Sequence, residues 1–129
     1  MELLDDKYCF VCGINNPIGL KLDFRLEGDT LKTNFTPQKI HQGYAGIVHG
    51  GVIGLVLDEM LVNLPWKLGM KVVTAEFTVR LKKPVLVGEE LFFSSRILED
   101  KGKIVVVEAE AKKSDGVLAA YALGKCVKI

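Results

Sequence analysis

The 129-residue chain has little proline, little cysteine and no excess of charge of either sign. Only four prolines, together with 49% hydrophobic and 26% charged residues, exclude a disordered or low-complexity chain. Three cysteines are an odd number, which makes a disulfide framework an unsuitable explanation for the fold. A chain of this length and composition is expected to form one domain, residues 1–129, around a single core.

A large basic excess is also missing, because 17 Lys and Arg are balanced by 16 Asp and Glu, for a net charge of +1. Proteins that bind nucleic acid or anionic membranes without sequence or lipid specificity carry a much larger positive charge. We therefore expect no nucleic acid and no membrane among the partners of this chain.

No segment is apolar for long enough to cross a membrane. The longest segment without a charged residue, residues 40–57, contains two His, one Gln and five Gly. The N-terminal residues MELLDDKY are acidic where a signal peptide is basic, which favours a cytoplasmic protein. The mean hydropathy of +0.25 is high for a small monomer and favours an oligomer that covers part of the surface.

Six segments have the residue pattern of β-strands. The first two, residues 19–27 and 31–36, are joined by a turn at Gly28 and Asp29. The other four are residues 73–82, 90–98, 103–112 and 117–127. In the last two, apolar residues lie on both faces, as Val106 and Val107 illustrate, and a second apolar face favours packing against another subunit.

Residues 50–64 form the one segment with a clear helical pattern. They are apolar around most of the helical circumference, which predicts a buried helix, and Pro65 is expected to end it. The order of two strands, one helix and four strands predicts an α+β fold in which a six-stranded antiparallel sheet wraps one long central helix.

The residues best suited to take part in a reaction lie where a loop, residues 37–48, meets this helix. His49 is followed by Gly50 and Gly51 in the first helical turn. A helix N-terminus exposes unpaired backbone N–H groups and a partial positive charge. Because glycine has no side chain, the carbonyl oxygen of another molecule can approach this backbone closely, as an oxyanion site requires.

Asp58 is the candidate acid–base group. At about 100° per residue it shares a helical stripe with Gly51 and Gly54, whereas Glu59 faces elsewhere. A carboxylate and N–H donors suffice for thioester hydrolysis, because the thiol leaves as thiolate without an added proton. The alternatives are that Asp58 is a satisfied core carboxylate, that the glycines serve only close packing, and that His49 is only a helix cap.

The sequence His49-Gly50-Gly51, with an Asp nine residues after the His, resembles the hot-dog fold acyl-CoA thioesterases. The phenylacetyl-CoA-type branch is the most similar, and the resemblance covers nearly the whole chain. Residues 74–84, followed by Gly88-Glu89, resemble the third strand of that family and the turn after it. The opening segment, residues 9–20, resembles a sub-branch with little assigned substrate chemistry.

This resemblance implies roles for individual residues. Asp58 would be the general base or nucleophile, Gly50 would donate its N–H to the thioester carbonyl, and His49 would order the loop. Thr74 lies where relatives place a Ser or Thr from the partner subunit to orient water or the carboxylate. The resemblance also implies a homodimer, or a homotetramer of such dimers, in which the third strands of two subunits pair and the active sites lie at the interface.

Other residues are implied as substrate contacts. Some relatives have an Asn six residues before the motif His, where this chain has Gly43, and Gln42 is the nearest substitute. The remaining candidates are Gly51 and Gly54 in the groove, and Arg80, Lys82 and Lys83 for the phosphates of coenzyme A. For these three cations, a solvated strand edge is the alternative. Coenzyme A would be part of the substrate, and no cofactor is expected.

A metal is not expected from the sequence. Cys9-x-x-Cys12 followed by Gly13 is half of a zinc knuckle, no second pair follows, and Cys126 is isolated. Because zinc takes four ligands, two N-terminal segments would have to share one ion. Two other functions on the same fold stay open at this point, namely a non-catalytic acyl-CoA-binding protein and a hydratase or dehydratase.

Overall fold

The computed structural model describes residues 2–129, which contain a six-stranded antiparallel sheet, one α-helix and one turn of 3₁₀ helix at Lys39–His41. The elements are β1 (Arg25–Glu27), β2 (Thr30–Phe35), α1 (Gly50–Lys67), β3 (Val72–Leu81), β4 (Leu91–Asp100), β5 (Ile104–Lys113) and β6 (Leu118–Lys128). Their order in the sheet is β1-β2-β4-β5-β6-β3, so that β1 and β3 are the two edges. The predicted α+β architecture and its element order are confirmed.

The core lies between α1 and the inner face of the sheet. The helix buries Ile53, Val56, Leu57, Met60, Leu61 and Leu64. The inner face contributes Leu31, Phe93, Val105, Val107 and a series of alanines on β5 and β6. Most of the remaining helix residues are half-buried, which agrees with the apolar circumference of the helix. No helix within residues 2–129 has the length and apolarity that a bilayer crossing demands.

The prediction that Pro65 ends the helix is wrong, because α1 continues to Lys67 with Pro65 inside it. Proline has no N–H to donate to the carbonyl one turn earlier, here that of Leu61. The thiol of Cys126 on β6 donates to this carbonyl, with a sulfur–oxygen distance of 3.6 Å. A neighbouring strand thus supplies the hydrogen bond that proline cannot. The helix ends before Gly69, whose positive φ of 89° suits glycine.

The first predicted strand is also wrong in its extent. Only Arg25–Glu27 of residues 19–27 pairs as a strand, and Lys21 has a positive φ of 52°. The N–H groups of Leu20 and Leu22 bond instead to the carbonyls of Phe10 and Val11, at 2.9 Å each. The alternating pattern arises because these leucines pack against the core from an irregular segment. The other five strands match their predictions within one or two residues at each end.

A β-bulge in β3 changes which side chains face the helix. Thr74 pairs with Cys126 and Glu76 with Lys125, which leaves Ala75 without a partner on β6. A bulge of this kind shifts the alternation of side chains between the two parts of a strand. Thr74, before the bulge, and Phe77, after it, therefore both face α1, although strict alternation would put residues 74 and 77 on opposite faces.

The expected second apolar face of β5 and β6 is present only in part. Ile104 and Val106 are half-buried on the outer face. Further along, the same face carries a polar network, in which the Tyr121 hydroxyl donates to Glu108 at 2.9 Å and Arg96 forms an ion pair with the same carboxylate. Burial and the hydrogen bond to Glu108 raise the pKa of Tyr121.

Gly124 on β6 sets how closely α1 approaches the sheet. A Cβ at this position would lie 2.7 Å from Cδ1 and 3.5 Å from Cβ of the fully buried Leu61. We expect Gly124→Ala to lower the free energy of unfolding by about 1–3 kcal/mol through overpacking. Urea denaturation followed by circular dichroism measures this change.

Gly54→Ala is the matched control for that substitution. Its Cβ would contact only Val79, at an ordinary 3.9 Å. Because Ala is more stable than Gly inside a helix by roughly 0.5–1 kcal/mol, this variant should unfold at the same or a higher urea concentration. An equal loss of stability in both variants would contradict close helix–sheet packing at Gly124.

Candidate active site

An open groove of about 470 Å³ runs between α1 and β3. It is lined on the helix by Gly50, Gly51, Gly54, Leu55 and Asp58, and on the strand by Phe77, Val79 and Leu81. We call it the α1–β3 groove. The glycines and the aspartate that share the predicted helical stripe all line it. Absence of side chains at the three glycines is what leaves room for the groove.

The half-buried carboxylate of Asp58 receives a hydrogen bond from Thr74. The hydroxyl Oγ1 of Thr74 donates to Oδ1 of Asp58 at 3.0 Å. The resemblance implied a hydroxyl from a partner subunit, whereas here it comes from the same chain, because Thr74 on β3 faces α1. The other oxygen, Oδ2, accepts no hydrogen bond from residues 2–129. One oxygen is thus held in place and the other is available to a ligand.

Cys126, which the sequence left isolated, lies behind this pair. It is fully buried and pairs with Thr74 across β6 and β3. Burial first, and then the negative charge of Asp58, raise the pKa of Cys126 to about 11. Its thiol therefore stays protonated at neutral pH and is unsuited to act as a nucleophile.

His49 caps the helix at the other end of the groove. The ring Nδ1 of His49 accepts a hydrogen bond from the Gly51 N–H at 2.9 Å. The backbone N–H of His49 donates to the His41 carbonyl, also at 2.9 Å. The capping role, which the sequence left as an alternative, is therefore present. Gly50 differs from Gly51, since its N–H donates to no acceptor within residues 2–129. This N–H, at the positive end of the helix dipole, is a suitable donor to a developing oxyanion.

A side chain at position 50 would displace Leu81 on β3. A Cβ there would lie 2.5 Å from Cδ1 of that leucine. Two further open grooves meet the α1–β3 groove at this residue. One is lined by Gly43, Tyr44, Ile47, Val48, His49 and Gly50, and the other includes Lys82, Lys83 and Pro84. A long ligand that passes Gly50 therefore has room in more than one direction.

The loop before the helix is held by its own side chains. Oε1 of Gln42 accepts a hydrogen bond from the Gly46 N–H at 2.9 Å, and this use of Gln42 was not predicted. The amide nitrogen of Gln42 donates to no group within residues 2–129 and lines none of the three grooves. Gly43, at the Asn position of some relatives, does line one of them.

His41 supports the same loop but was not among the predicted site residues. Its Nδ1 accepts a hydrogen bond from the Gln38 N–H at 2.9 Å, and its ring packs edge-on against Phe35 with centroids 5.1 Å apart. Burial lowers the pKa of His41, so the neutral ring that can accept this bond is favoured. A histidine eight residues before the motif was the available signal, but its contact with β2 is not visible in the sequence.

The three candidate cations are separated by the structure. Lys82 and Lys83 line the groove beside Gly50, with their backbone N–H groups both bonded to the Ala119 carbonyl. Arg80 is exposed and lines none of the three grooves described above. Two of the three residues predicted to contact phosphates therefore lie in the groove beside Gly50.

One group of side chains within residues 2–129 has the spacing of metal ligands, and it lies outside these grooves. It consists of Cys9, Cys12 and Glu59. Burial first, then a hydrogen bond with Cys9 and the charge of Glu59, raise the pKa of Cys12 to about 12. The site that the glycines and Asp58 form contains no such group.

Comparison with protein-family models gives one match. The model of the thioesterase superfamily matches residues 45–120, which include the capping histidine, all of α1 and most of the sheet.

Two curated proteins match part of the sequence. A methylthioribose-1-phosphate isomerase of Aquifex aeolicus is 35% identical over 97 residues, which cover 61% of this chain and 20% of that protein. A Saccharolobus solfataricus protein, provisionally named an esterase, is 32% identical over 81 residues, which cover 61% of this chain and 57% of that protein. The chain thus spans a fifth of one relative and little more than half of the other.

Solved structures match the whole fold. A protein described as a thioesterase superfamily member has a TM-score of 0.89 and 24% identity, and covers 98% of this chain and 67% of its own. The E. coli PaaI protein from the phenylacetic acid degradation operon has a TM-score of 0.80 and 17% identity, and the match covers 85% of this chain and 80% of that protein. A thioesterase-type protein of Streptococcus pneumoniae with coenzyme A has a TM-score of 0.79 and 15% identity, and the match covers 84% of this chain and 85% of that protein.

The cap at His49 generates a stability prediction. Loss of an N-cap side chain costs a helix about 0.5–2 kcal/mol, and Asn is among the best capping residues. We expect His49→Ala to lower the free energy of unfolding by that amount and His49→Asn to preserve it, as measured by urea denaturation. A comparable loss in both variants would show that the stabilising contribution of His49 is not the cap.

Proposed function

The chain belongs to the thioesterase superfamily, and from this premise we propose that it hydrolyses an acyl-CoA thioester to a free acid and coenzyme A. The observation that carries the proposal is the geometry of the α1–β3 groove. At one end, Asp58 has a carboxylate oxygen that accepts no hydrogen bond from residues 2–129, and at the other, the Gly50 N–H finds no acceptor among the same residues.

In the proposed reaction, the Gly50 N–H binds the thioester carbonyl oxygen. Negative charge develops on this oxygen when the carbonyl carbon is attacked, so the N–H bonds more strongly to the transition state than to the substrate. The dipole of α1 acts in the same direction. His49 contributes by fixing the first turn, because its bond to the Gly51 N–H orients the backbone on both sides of Gly50.

Asp58 is the proposed general base, with direct attack on the carbonyl carbon as the second possibility. As a base it takes a proton from a water molecule while the water oxygen bonds to the carbonyl carbon. The carbon–sulfur bond then breaks, and coenzyme A leaves as a thiolate that takes up a proton from water. Thr74 is a positioning residue in this scheme, since its hydroxyl holds Oδ1 and directs Oδ2 toward the groove.

A feature of the Streptococcus pneumoniae protein supports the pairing of Asp58 with Thr74. Its structures include one with coenzyme A and two variants, in which an aspartate and a threonine were separately replaced by alanine. Those two positions are 16 residues apart, as are Asp58 and Thr74.

Coenzyme A would extend from Gly50 toward Lys82 and Lys83. Both lysines line the groove beside Gly50, and the diphosphate and 3′-phosphate of coenzyme A need cationic partners. The acyl chain would then occupy the apolar part of the α1–β3 groove, which Leu55, Phe77 and Val79 line.

The proposed active form is a homodimer. β3 is a ten-residue edge strand, and edges of this length are normally covered. Its groove-facing side chains Phe77 and Leu81 are 41% and 55% exposed in the single chain. Pairing of two β3 strands would cover both the edge and the open side of each groove. The outer face of β5 and β6 is the surface for further assembly into a tetramer.

The first test of the function is thiol release from short, medium, long and aromatic acyl-CoAs. We expect Asp58→Asn to lower kcat/KM by about 10²–10⁴, because a general base contributes on this scale, and Thr74→Ala to lower it less. Asp29→Asn is the control. Asp29 is an exposed carboxylate in the turn beside β1, at the opposite edge of the sheet from β3.

Unchanged release by Asp58→Asn would contradict the proposal. A wild-type dimer that binds acyl-CoAs without releasing thiol would identify a non-catalytic binding protein instead. An enoyl product without free thiol would identify a hydratase or dehydratase.

The dimer is tested by hydrogen exchange together with sedimentation. In a dimer paired through β3, both the amides that face β6 and those that face outward are hydrogen-bonded and exchange slowly. We expect a sedimenting dimer in which β3 is protected along its length while the other edge, β1, exchanges rapidly. A monomer, or a dimer with fast outward amides on β3, would contradict this arrangement.

A further inference from the structure

Cys9, Cys12 and Glu59 converge outside the proposed active site. Their ligand atoms all lie within 4.8 Å of one another. Each of the two sulfurs is 3.6 Å from the same oxygen, Oε1 of Glu59. All three residues are half-buried, and Glu59 approaches from the side of α1 that does not face the α1–β3 groove.

A tight backbone turn contains both cysteines, whose sulfurs both contact Glu59. The Gly13 N–H donates to the Cys9 carbonyl at 2.8 Å, and the Val11 N–H is directed at the Cys9 sulfur at 3.4 Å. Only glycine fits at position 13, because a Cβ would lie 2.4–2.6 Å from backbone atoms of Cys9 and Lys7. A backbone N–H directed at sulfur stabilises the thiolate form, which is the form that binds metals.

The cluster contains acidic groups and no basic side chain. Two thiols and a carboxylate are all acids, and no Lys, Arg or His within residues 2–129 forms an ion pair with Glu59. The remaining contact of its Oε1 is the neutral amide of Asn63, at 3.4 Å. Three adjacent groups that become negative on losing their protons favour a cation between them.

The distances fit a tetrahedral ion. With zinc–sulfur bonds of about 2.3 Å and a zinc–oxygen bond of about 2.0 Å, tetrahedral angles separate the sulfur and oxygen by roughly 3.5 Å. Both sulfur–oxygen distances here are 3.6 Å. Thiolates with a carboxylate also favour zinc over magnesium or calcium, which prefer oxygen ligands alone.

We propose that Cys9, Cys12 and Glu59 bind one Zn²⁺ ion, with water in the fourth position. The ion fastens the N-terminal segment to α1 at the residue next to Asp58. From this anchor the segment continues to β1 through the backbone bonds of Leu20 and Leu22 to Phe10 and Val11. The role is structural, because the three ligands lie outside the groove that contains the proposed reacting groups.

This proposal departs from the expectation of no metal. The sequence offered two ligands in one short segment, so a shared ion between two subunits was the only available form. The third ligand lies 47 residues after Cys12 and comes from the same chain. Glu59 had no sequence feature that distinguished it from a solvated helical carboxylate.

The test uses the full chain purified with reductant, and its metal content measured by mass spectrometry. We expect about one zinc per chain in the wild type. The double variant Cys9→Ser, Cys12→Ser should lose it, and Glu59→Gln should weaken zinc affinity by more than about tenfold. Cys126→Ser is the matched control, because this buried thiol lies outside the cluster, and its zinc content should equal that of the wild type.

Two further measurements separate zinc binding from a folding defect. Co²⁺ added to the zinc-free wild type should give a thiolate-to-cobalt charge-transfer band and the d–d bands of a tetrahedral ion, and the double Cys variant should give neither. Removal of zinc should speed hydrogen exchange in residues 7–22 while the core strands stay protected.

Three results would overturn the proposal. The first is a reduced wild type that binds neither zinc nor cobalt, and the second is a double Cys variant that keeps its zinc. The third is a disulfide between Cys9 and Cys12 in the purified wild type whose reduction restores no metal binding. Thiol release from acyl-CoA does not enter any of these readouts, so the proposed function and the zinc site fail or succeed independently.

Discussion

Burial of α1 against the sheet is the interaction on which the other features of the molecule depend. The helix is apolar around most of its circumference and buries seven of its 18 residues, so the two acids at its centre must find polar partners at the margins of the core. Asp58 finds the Thr74 hydroxyl on β3, and Glu59 finds the thiols of the N-terminal segment. Because adjacent helical residues diverge by about 100°, one helix serves two separate sites. The proposed hydrolytic groove and the proposed zinc site therefore both depend on which segments pack against this helix, β3 on one side and the N-terminal segment on another.

Small irregularities then convert the packed helix into a site. The capping bond of His49 leaves the Gly50 N–H without an acceptor within residues 2–129, and Leu81 approaches closely because residue 50 has no side chain. The bulge at Ala75 lets both Thr74 and Phe77 face α1, where Thr74 contacts Asp58. Further along the helix, Cys126 compensates for the missing N–H of Pro65. In each case a local departure from regular structure is stabilised by a contact from another element.

The sequence predicts what depends on local geometry. Gly51, Gly54 and Asp58 share a stripe because helical periodicity fixes their directions, and the strand boundaries after the helix follow from alternation and turn residues. It could not predict what depends on pairing between distant segments. The bulge in β3 is set by its register with β6, the length of β1 by competition with the N-terminal segment, and the contact of Glu59 with Cys9 by the path of that segment over the helix. The continuation of α1 through Pro65 also depends on a partner from β6, which no pattern within the helix reveals.

The most direct test of the central claim is a crystal structure of the Asp58→Asn variant with an intact acyl-CoA. We expect the thioester carbonyl oxygen to accept a hydrogen bond from the Gly50 N–H, the carbonyl carbon to lie beside residue 58, and the phosphates to lie toward Lys82 and Lys83. A second chain should cover the open side of the groove through its own β3. An acyl-CoA bound elsewhere, such as in the polar cleft of Arg96, Glu108 and Tyr121 on the outer face of the sheet, would contradict the proposed active site.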